Sequence, residues 1–117
     1  MTDREPECLF CRIVAGEVPA EIVLGDEDVI AFRDIAPRAP THLLVIPRRH
    51  TPDAHALTDG DGELLGKLFS AIRRAADAAG LDDGYRVVTN VGPESGQTVF
   101  HLHFHLLGGR RMAWPPG

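Results

Sequence analysis

The sequence predicts an α+β fold: a five-stranded, mostly antiparallel meander sheet with one long helix on one face and a short N-terminal helix. Three observations lead there. Short β-branched and apolar runs, separated by Gly, Pro and Asp, recur over 21–46 and 85–107. Only the stretch 58–80 carries apolar residues at sustained helical spacing. A chain of 117 residues buries one core without staples, so 1–117 reads as a single domain.

Each element has its own signal. Residues 1–7, MTDREPE, are polar and acidic, lack the cationic-then-apolar order of a signal peptide, and read as a disordered leader. Residues 8–16 form a short helix closed by Gly16. Residues 21–24 and 29–33 flank Gly25-Asp26-Glu27-Asp28 and make a hairpin. The span 34–40 holds Pro37 and Pro40 and is a loop, whereas 42–46 is an apolar strand that Pro47 ends. In the long helix Leu64, Leu65, Leu68, Phe69, Ile72, Ala75, Ala76 and Ala79 share a face, opposite Glu63, Lys67, Arg73, Arg74 and Asp77. Thr58 with Asp61 caps its start, and Gly80 stands at its end. Residues 85–91 make a further strand, 92–97 a glycine-containing loop and 98–107 the last strand. An irregular tail, 108–117, completes the chain.

Composition narrows the function. Hydrophobic residues are 44% and charged residues 25%, as in ordinary globular proteins. No apolar run approaches the ~18 residues of a membrane span, so no membrane partner is expected and a cytoplasmic location is the default. Lys and Arg total 12 against 17 acidic residues, a net charge of -5, which disfavours a nucleic acid polymer. A small anionic ligand needs only a few local donors. The pair Cys8-Leu9-Phe10-Cys11 fits a metal clip or a redox pair better than a structural disulfide. No strand precedes the pair, which weakens the redox reading; two small buried hydrophobes is the remaining one.

The chemistry concentrates near the C-terminus. Half of the six histidines fall in His101-Leu102-His103-Phe104-His105. On a strand, alternate side chains share a face and stand about 6.6 Å apart. Phe100, Leu102, Phe104 and Leu106 thus take the core face, and the three histidines the other. Covered imidazoles need partners. One reading is a zinc site; the other is a nucleophilic imidazole tuned by its neighbours, since neutral histidine attacks phosphorus. Gly96-Gln97-Thr98 offers neutral donors to a phosphate, and no acid follows Glu94 in this segment, which favours the nucleophile.

Gly96-Gln97-Thr98-Val99-Phe100-His101-Leu102-His103-Phe104-His105-Leu106-Leu107 resembles the signature of the histidine triad (HIT) superfamily, and the chain from Cys8 onward is most similar to its Hint branch. Phe32-Arg33-Asp34-Ile35-Ala36-Pro37, Ala39-Pro40-Thr41-His42, Leu44-Val45-Ile46-Pro47 and the ending Gly108-Gly109-Arg110-Arg111-Met112-Ala113-Trp114-Pro115-Pro116-Gly117 carry the likeness. The resemblance implies a HIT-like fold and a purine nucleoside phosphoramidase, acting on AMP- or GMP-type P–N substrates and on aminoacyl-adenylates. His103 would be the transiently nucleotidylated nucleophile, His101 and His105 its flanking triad members, and His42 a supporting histidine. Asp34 would accept the ribose hydroxyls; Leu9, Phe10, Ile13, Phe32 and Ile35 would hold the base; Asn90, Gly96, Gln97 and Thr98 would surround the phosphate. Thr98 stands where the family more often has serine, with the hydroxyl kept. A homodimer sharing one sheet is implied, with Trp114 reaching the partner's site.

The chemistry itself would need no cofactor. Cys8 and Cys11 resemble a pair that in many bacterial members helps hold a structural zinc, with His50 and His101 completing the set. A non-catalytic purine-nucleotide-binding module and a metal-dependent hydrolase are the competing functions.

Overall fold

The computed structural model describes residues 4–117. Of the leader expected over 1–7, residues 1–3 lie outside the described residues. Residues 4–7 form a turn bonded to the neighbouring helical segment: the Cys8 N–H donates to the Glu5 carbonyl at 3.0 Å, and Arg4 pairs with Glu17.

The elements in chain order are α1 (Leu9–Val14), β1 (Ile22–Gly25), β2 (Val29–Arg33), β3 (Thr41–Pro47), α2 (Gly62–Ala78), β4 (Tyr85–Val88) and β5 (Phe104–Gly108). They build the expected α+β architecture, one five-stranded sheet ordered β1-β2-β3-β5-β4 with every neighbouring pair antiparallel. β1 to β3 meander. The chain then crosses through α2, so β5 enters between β3 and β4 and becomes an interior strand.

Both faces of that sheet are covered, and strand alternation sorts the side chains between them. Val29, Ala31, Leu43, Val45, Phe104 and Leu106 pack against Leu68, Ile72, Ala75 and Ala76 of α2. Ile30, Phe32, Leu44 and Ile46 point the other way, onto Phe10 and Ile13 of α1. α2 begins at Gly62, and the capping box that the sequence places at its start closes the turn just before it. Thr58 and Asp61 form a capping box over the 3-10 turn Asp59–Asp61, with Asp61 Oδ2 accepting the Thr58 N–H at 2.8 Å. Among the described residues no helix is long and apolar enough to cross a membrane.

Two strands are shorter than the sequence suggests, for local reasons. β5 begins at Phe104, not at 98. The β3 ladder runs out where Pro47 has no N–H to give, and its carbonyl accepts from the His101 ring at 2.8 Å. Residues 98–103 leave the ladder with bends at Val99 and His101, held by the Leu102 N–H on the Thr51 carbonyl at 2.6 Å. Phe100, expected in the core, is exposed as a result. β4 stops at Val88, and Thr89 Oγ1 bonds the His103 carbonyl at 2.8 Å in place of a ladder bond.

At the end of β5, Gly109 has φ +88°, and an added Cβ would lie 2.9 Å from Pro40 Cβ. Gly109→Ala is expected to cost roughly 1–3 kcal/mol in urea unfolding, because both the left-handed backbone and the proline ring oppose it.

Candidate active site

α1, the connecting residues Val18, Pro19 and Ala20, the end of β2, and Thr98 and Val99 enclose a cleft of about 350 Å³ with His103 and His105 in its wall. The apolar residues expected to hold a base, Leu9, Phe10, Ile13, Phe32 and Ile35, all line it, as do Asp34 and Thr98. Phe10 stands edge-on to Phe32, with ring centroids 5.5 Å apart, and to His103 at 5.1 Å.

Sequence reasoning missed Val18, Pro19, Ala20, Arg33, Leu44 and Val99. Leu44 was within reach, two residues along a strand from His42; the linker residues follow no period. A wider groove of about 480 Å³ runs past Arg48, Arg49 and Lys67. No histidine lines it, and Arg49 and Lys67 are paired with Asp61 and Asp28.

Four expected nucleotide residues stand outside the cleft wall. Gln97 is buried and its amide is consumed by the scaffold: Oε1 accepts from the Gly92 N–H at 2.8 Å, while Nε2 donates to Pro52 and Val99 carbonyls at 2.8 and 3.1 Å. Its place in the sequence suggested a phosphate donor; its geometry makes it the brace of the loop. Asn90 donates to the Ser95 carbonyl within the same loop. Gly96 takes φ +99°, where a Cβ would meet the Asn90 amide at 3.4 Å. Trp114 is 82% exposed on a tail held by Arg86 on the Ala113 carbonyl and Arg110 on the Arg38 carbonyl.

Hydrogen bonds assign each imidazole a tautomer. His103 Nδ1 donates to the His101 carbonyl at 2.8 Å, which leaves the Nε2 lone pair unspent. The Arg38 N–H donates to His42 Nδ1 at 3.0 Å, so His42 carries its proton on Nε2 and gives it to His105 Nδ1 at 2.9 Å. His105 in turn presents Nε2–H. Asp34 Oδ1 accepts from the Ala36 N–H at 2.8 Å, fixing the loop, and Oδ2 lies 3.4 Å from His42 Nε2.

Burial keeps these rings neutral. It pushes His105 down to about 4, with His103 and His42 adding repulsion and Asp34 opposing. Burial also lowers His103, against the pull of the His101 carbonyl, and His42, against that of Asp34.

His105 gives stability a dependence on pH. Unfolded, it binds protons below its ordinary 6.5; folded, it resists until about 4. The unfolded chain therefore holds the extra proton in that window, and stability present above it is lost as pH falls through it. The thermal midpoint is expected to drop across this range, and less steeply for His105→Gln; identical profiles would remove the effect.

On the far side of His101 lies a second cluster. Cys8 Sγ, Cys11 Sγ, His50 Nδ1 and His101 Nδ1 all fall within 4.8 Å of one another. Cys11 Sγ is 3.3 Å from His50 Nδ1 and 3.5 Å from His101 Nδ1, and Cys8 Sγ is 3.5 Å from His101 Nδ1. Tetrahedral zinc with thiolate and imidazole ligands needs sulfur–nitrogen separations of about 3.6 Å, so the four residues fit that ion. The His101 Nε2–H on Pro47 aims the Nδ1 lone pair at the thiols.

An α+β domain with a helix on each face of its sheet and neutral imidazoles beside a largely apolar cleft defines the class. The HIT domain profile matches residues 15–112, and the chain belongs to that family. An uncharacterized HIT-like protein of Synechococcus elongatus is 49% identical over 95% of this chain and 97% of its own length. Among solved structures, a HIT family hydrolase from Legionella pneumophila is 51% identical, covering 95% of this chain and 100% of that one, with TM-score 0.93. A histidine triad nucleotide-binding protein from Candida albicans is 30% identical over 93% of this chain and 83% of that one, with TM-score 0.80.

Proposed function

We propose that the protein is a nucleotide hydrolase of the Hint type, cleaving the P–N bond of purine nucleoside 5'-phosphoramidates and related aminoacyl-adenylates through a nucleotidyl-His103 intermediate. The observation that carries this is His103 itself: Nδ1–H is tied to a carbonyl, and Nε2 carries an unspent lone pair in the wall of a cleft sized for a nucleoside. The names of the Legionella and Candida relatives point the same way.

The base lies between Phe10, Ile13 and Phe32, a slot with few polar groups, which predicts weak discrimination among purines. Asp34, half-buried at the cleft rim, accepts the ribose hydroxyls. His103 Nε2 attacks phosphorus and the P–N bond breaks. The leaving nitrogen takes up a proton from solvent and departs as the amine, held by the His105 Nε2–H that His42 aligns. Water then attacks phosphorus, frees His103 and releases a proton that replaces the one taken up. Net, water gives hydroxyl to phosphorus and a proton to the amine, with no metal in the reaction. The Thr98 hydroxyl and the loop at Asn90 and Gly96 serve the phosphate.

The test is conversion of adenosine 5'-phosphoramidate to AMP, measured with chelator present. AMP binding without conversion would leave a nucleotide-binding module. Asp34→Ala is expected to raise the KM for nucleoside substrates about tenfold, the worth of one charge-assisted hydrogen bond. A ribose-free phosphoramidate should not feel the change; equal effects on both would remove the assigned role.

The homodimer belongs to the same reading. β4 is an open sheet edge, and Phe69, Tyr85 and Trp114 are exposed beside α2, β4 and the tail. Sedimentation is expected to give twice the chain mass.

A further inference from the structure

α1 is six residues long and contributes to both the tetrad and the cleft. Cys8 at its N-cap and Cys11 within it face His50 and His101. Leu9, Phe10 and Ile13 of the same helix form a wall of the cleft. A helix this short has little stability of its own, so its position is set by what it is fastened to. Apart from apolar packing, residues 8–15 reach beyond residue 20 through the thiol–imidazole contacts of Cys8 and Cys11. Two side chains carry the connection onward. The Phe10 ring lies 6.0 Å from the His101 ring and 5.1 Å from that of His103. His101 presents Nδ1 to the thiols while its carbonyl holds His103 Nδ1–H.

We propose that Cys8 and Cys11 are positioning residues for the nucleotide site: metal ligation by Cys8, Cys11, His50 and His101 seats α1 as the wall of the base slot, so metal and nucleotide bind with positive coupling. This rests on reading the tetrad as a zinc centre and the cleft as the nucleotide site. Unligated, the thiols and imidazoles hold α1 only through weak sulfur contacts, and the slot loses its fixed width. Coupling between two sites is reciprocal, which separates it from a merely structural role: a metal that only stabilised the fold would raise the melting temperature without making each ligand tighten the other.

The experiment measures both directions on the full chain. Zinc affinity of the metal-loaded protein is read by equilibrium competition with a chromogenic chelator, with and without saturating AMP. AMP affinity is read by calorimetry on zinc-loaded and chelator-treated protein. The expected result is a gain of about tenfold in each, equal within error. Should the stripped protein fail to fold, the zinc competition on loaded protein alone decides, and Phe10→Ala, which keeps all four ligands, is expected to shrink AMP's effect on zinc. Tight zinc and AMP binding that ignore one another would overturn the proposal and leave both underlying readings standing. Absence of thiolate-to-metal absorption with cobalt(II) would overturn the metal centre and the proposal with it. AMP failing to bind either form would overturn the nucleotide site.

Discussion

His103→Ala is expected to lower turnover of adenosine 5'-phosphoramidate by at least about 10³-fold, because no other group takes over a covalent step. AMP affinity should stay within about threefold, less than 1 kcal/mol. The two expectations separate because the binding surface is built by other residues. Phe10, Ile13 and Phe32 enclose the base slot and Asp34 stands at its rim, whereas the His103 side chain spends its one hydrogen bond inside the protein, on the His101 carbonyl. Truncation could loosen that carbonyl and the Phe10 ring packed edge-on at 5.1 Å. His103→Asn keeps an amide donor for the carbonyl and is expected to be equally inactive. Hydrolysis within tenfold of wild type by either variant would place the nucleophile elsewhere. A nucleotidyl adduct seen by mass spectrometry in wild type and absent from both variants would fix it on His103.

The alternation of His101, His103 and His105 with Leu102, Phe104 and Leu106 was legible because the two-residue period sorts side chains between faces, and Leu102 still joins Phe104 and Leu106 in the core with α2 although the ladder begins only at Phe104. What alternation does not reveal is where pairing stops. The last strand read as starting at 98 because Thr98, Val99 and Phe100 have β propensity, yet its neighbour β3 has already reached Pro47, and a ring nitrogen of His101 competes for the carbonyl there. That competition joins residues far apart in sequence and leaves no local trace. Gln97 is a different case. The sequence offers its backbone N–H as a donor for a phosphate, and only the folded loop shows that N–H on the Gly92 carbonyl at 3.3 Å and the side-chain amide bracing the loop through three bonds. Val18, Pro19 and Ala20 enter the cleft because the turn after α1 folds back over it, a consequence of packing rather than pattern. The four thiol and imidazole groups came together as expected because a pair at two-residue spacing on one helical turn converges, and His50 lies just past a strand end.

Removing metal from the tetrad is expected to lower the melting temperature by on the order of 15 °C, more than any surface substitution. An ion whose Kd lies about a thousandfold below its free concentration contributes about 4 kcal/mol to the folded state, and for a domain of this size each kcal/mol moves the midpoint by about 4 °C. The geometry explains why so few residues carry so much. Burial raises the Cys8 thiol, so without an ion it stays protonated, and the pair offers only weak sulfur hydrogen bonds to two imidazoles. Ligation replaces those contacts with bonds joining α1 to His50, just beyond β3, and to His101, which is fully buried beneath Phe10. Differential scanning calorimetry of wild type with zinc and with chelator should show the full shift, and Cys11→Ser should melt near the chelated value whether or not zinc is added. If wild type melts at one temperature in both conditions, Cys8 and Cys11 are small hydrophobes filling the space under α1, and the helix is held by Phe10 and Ile13 alone.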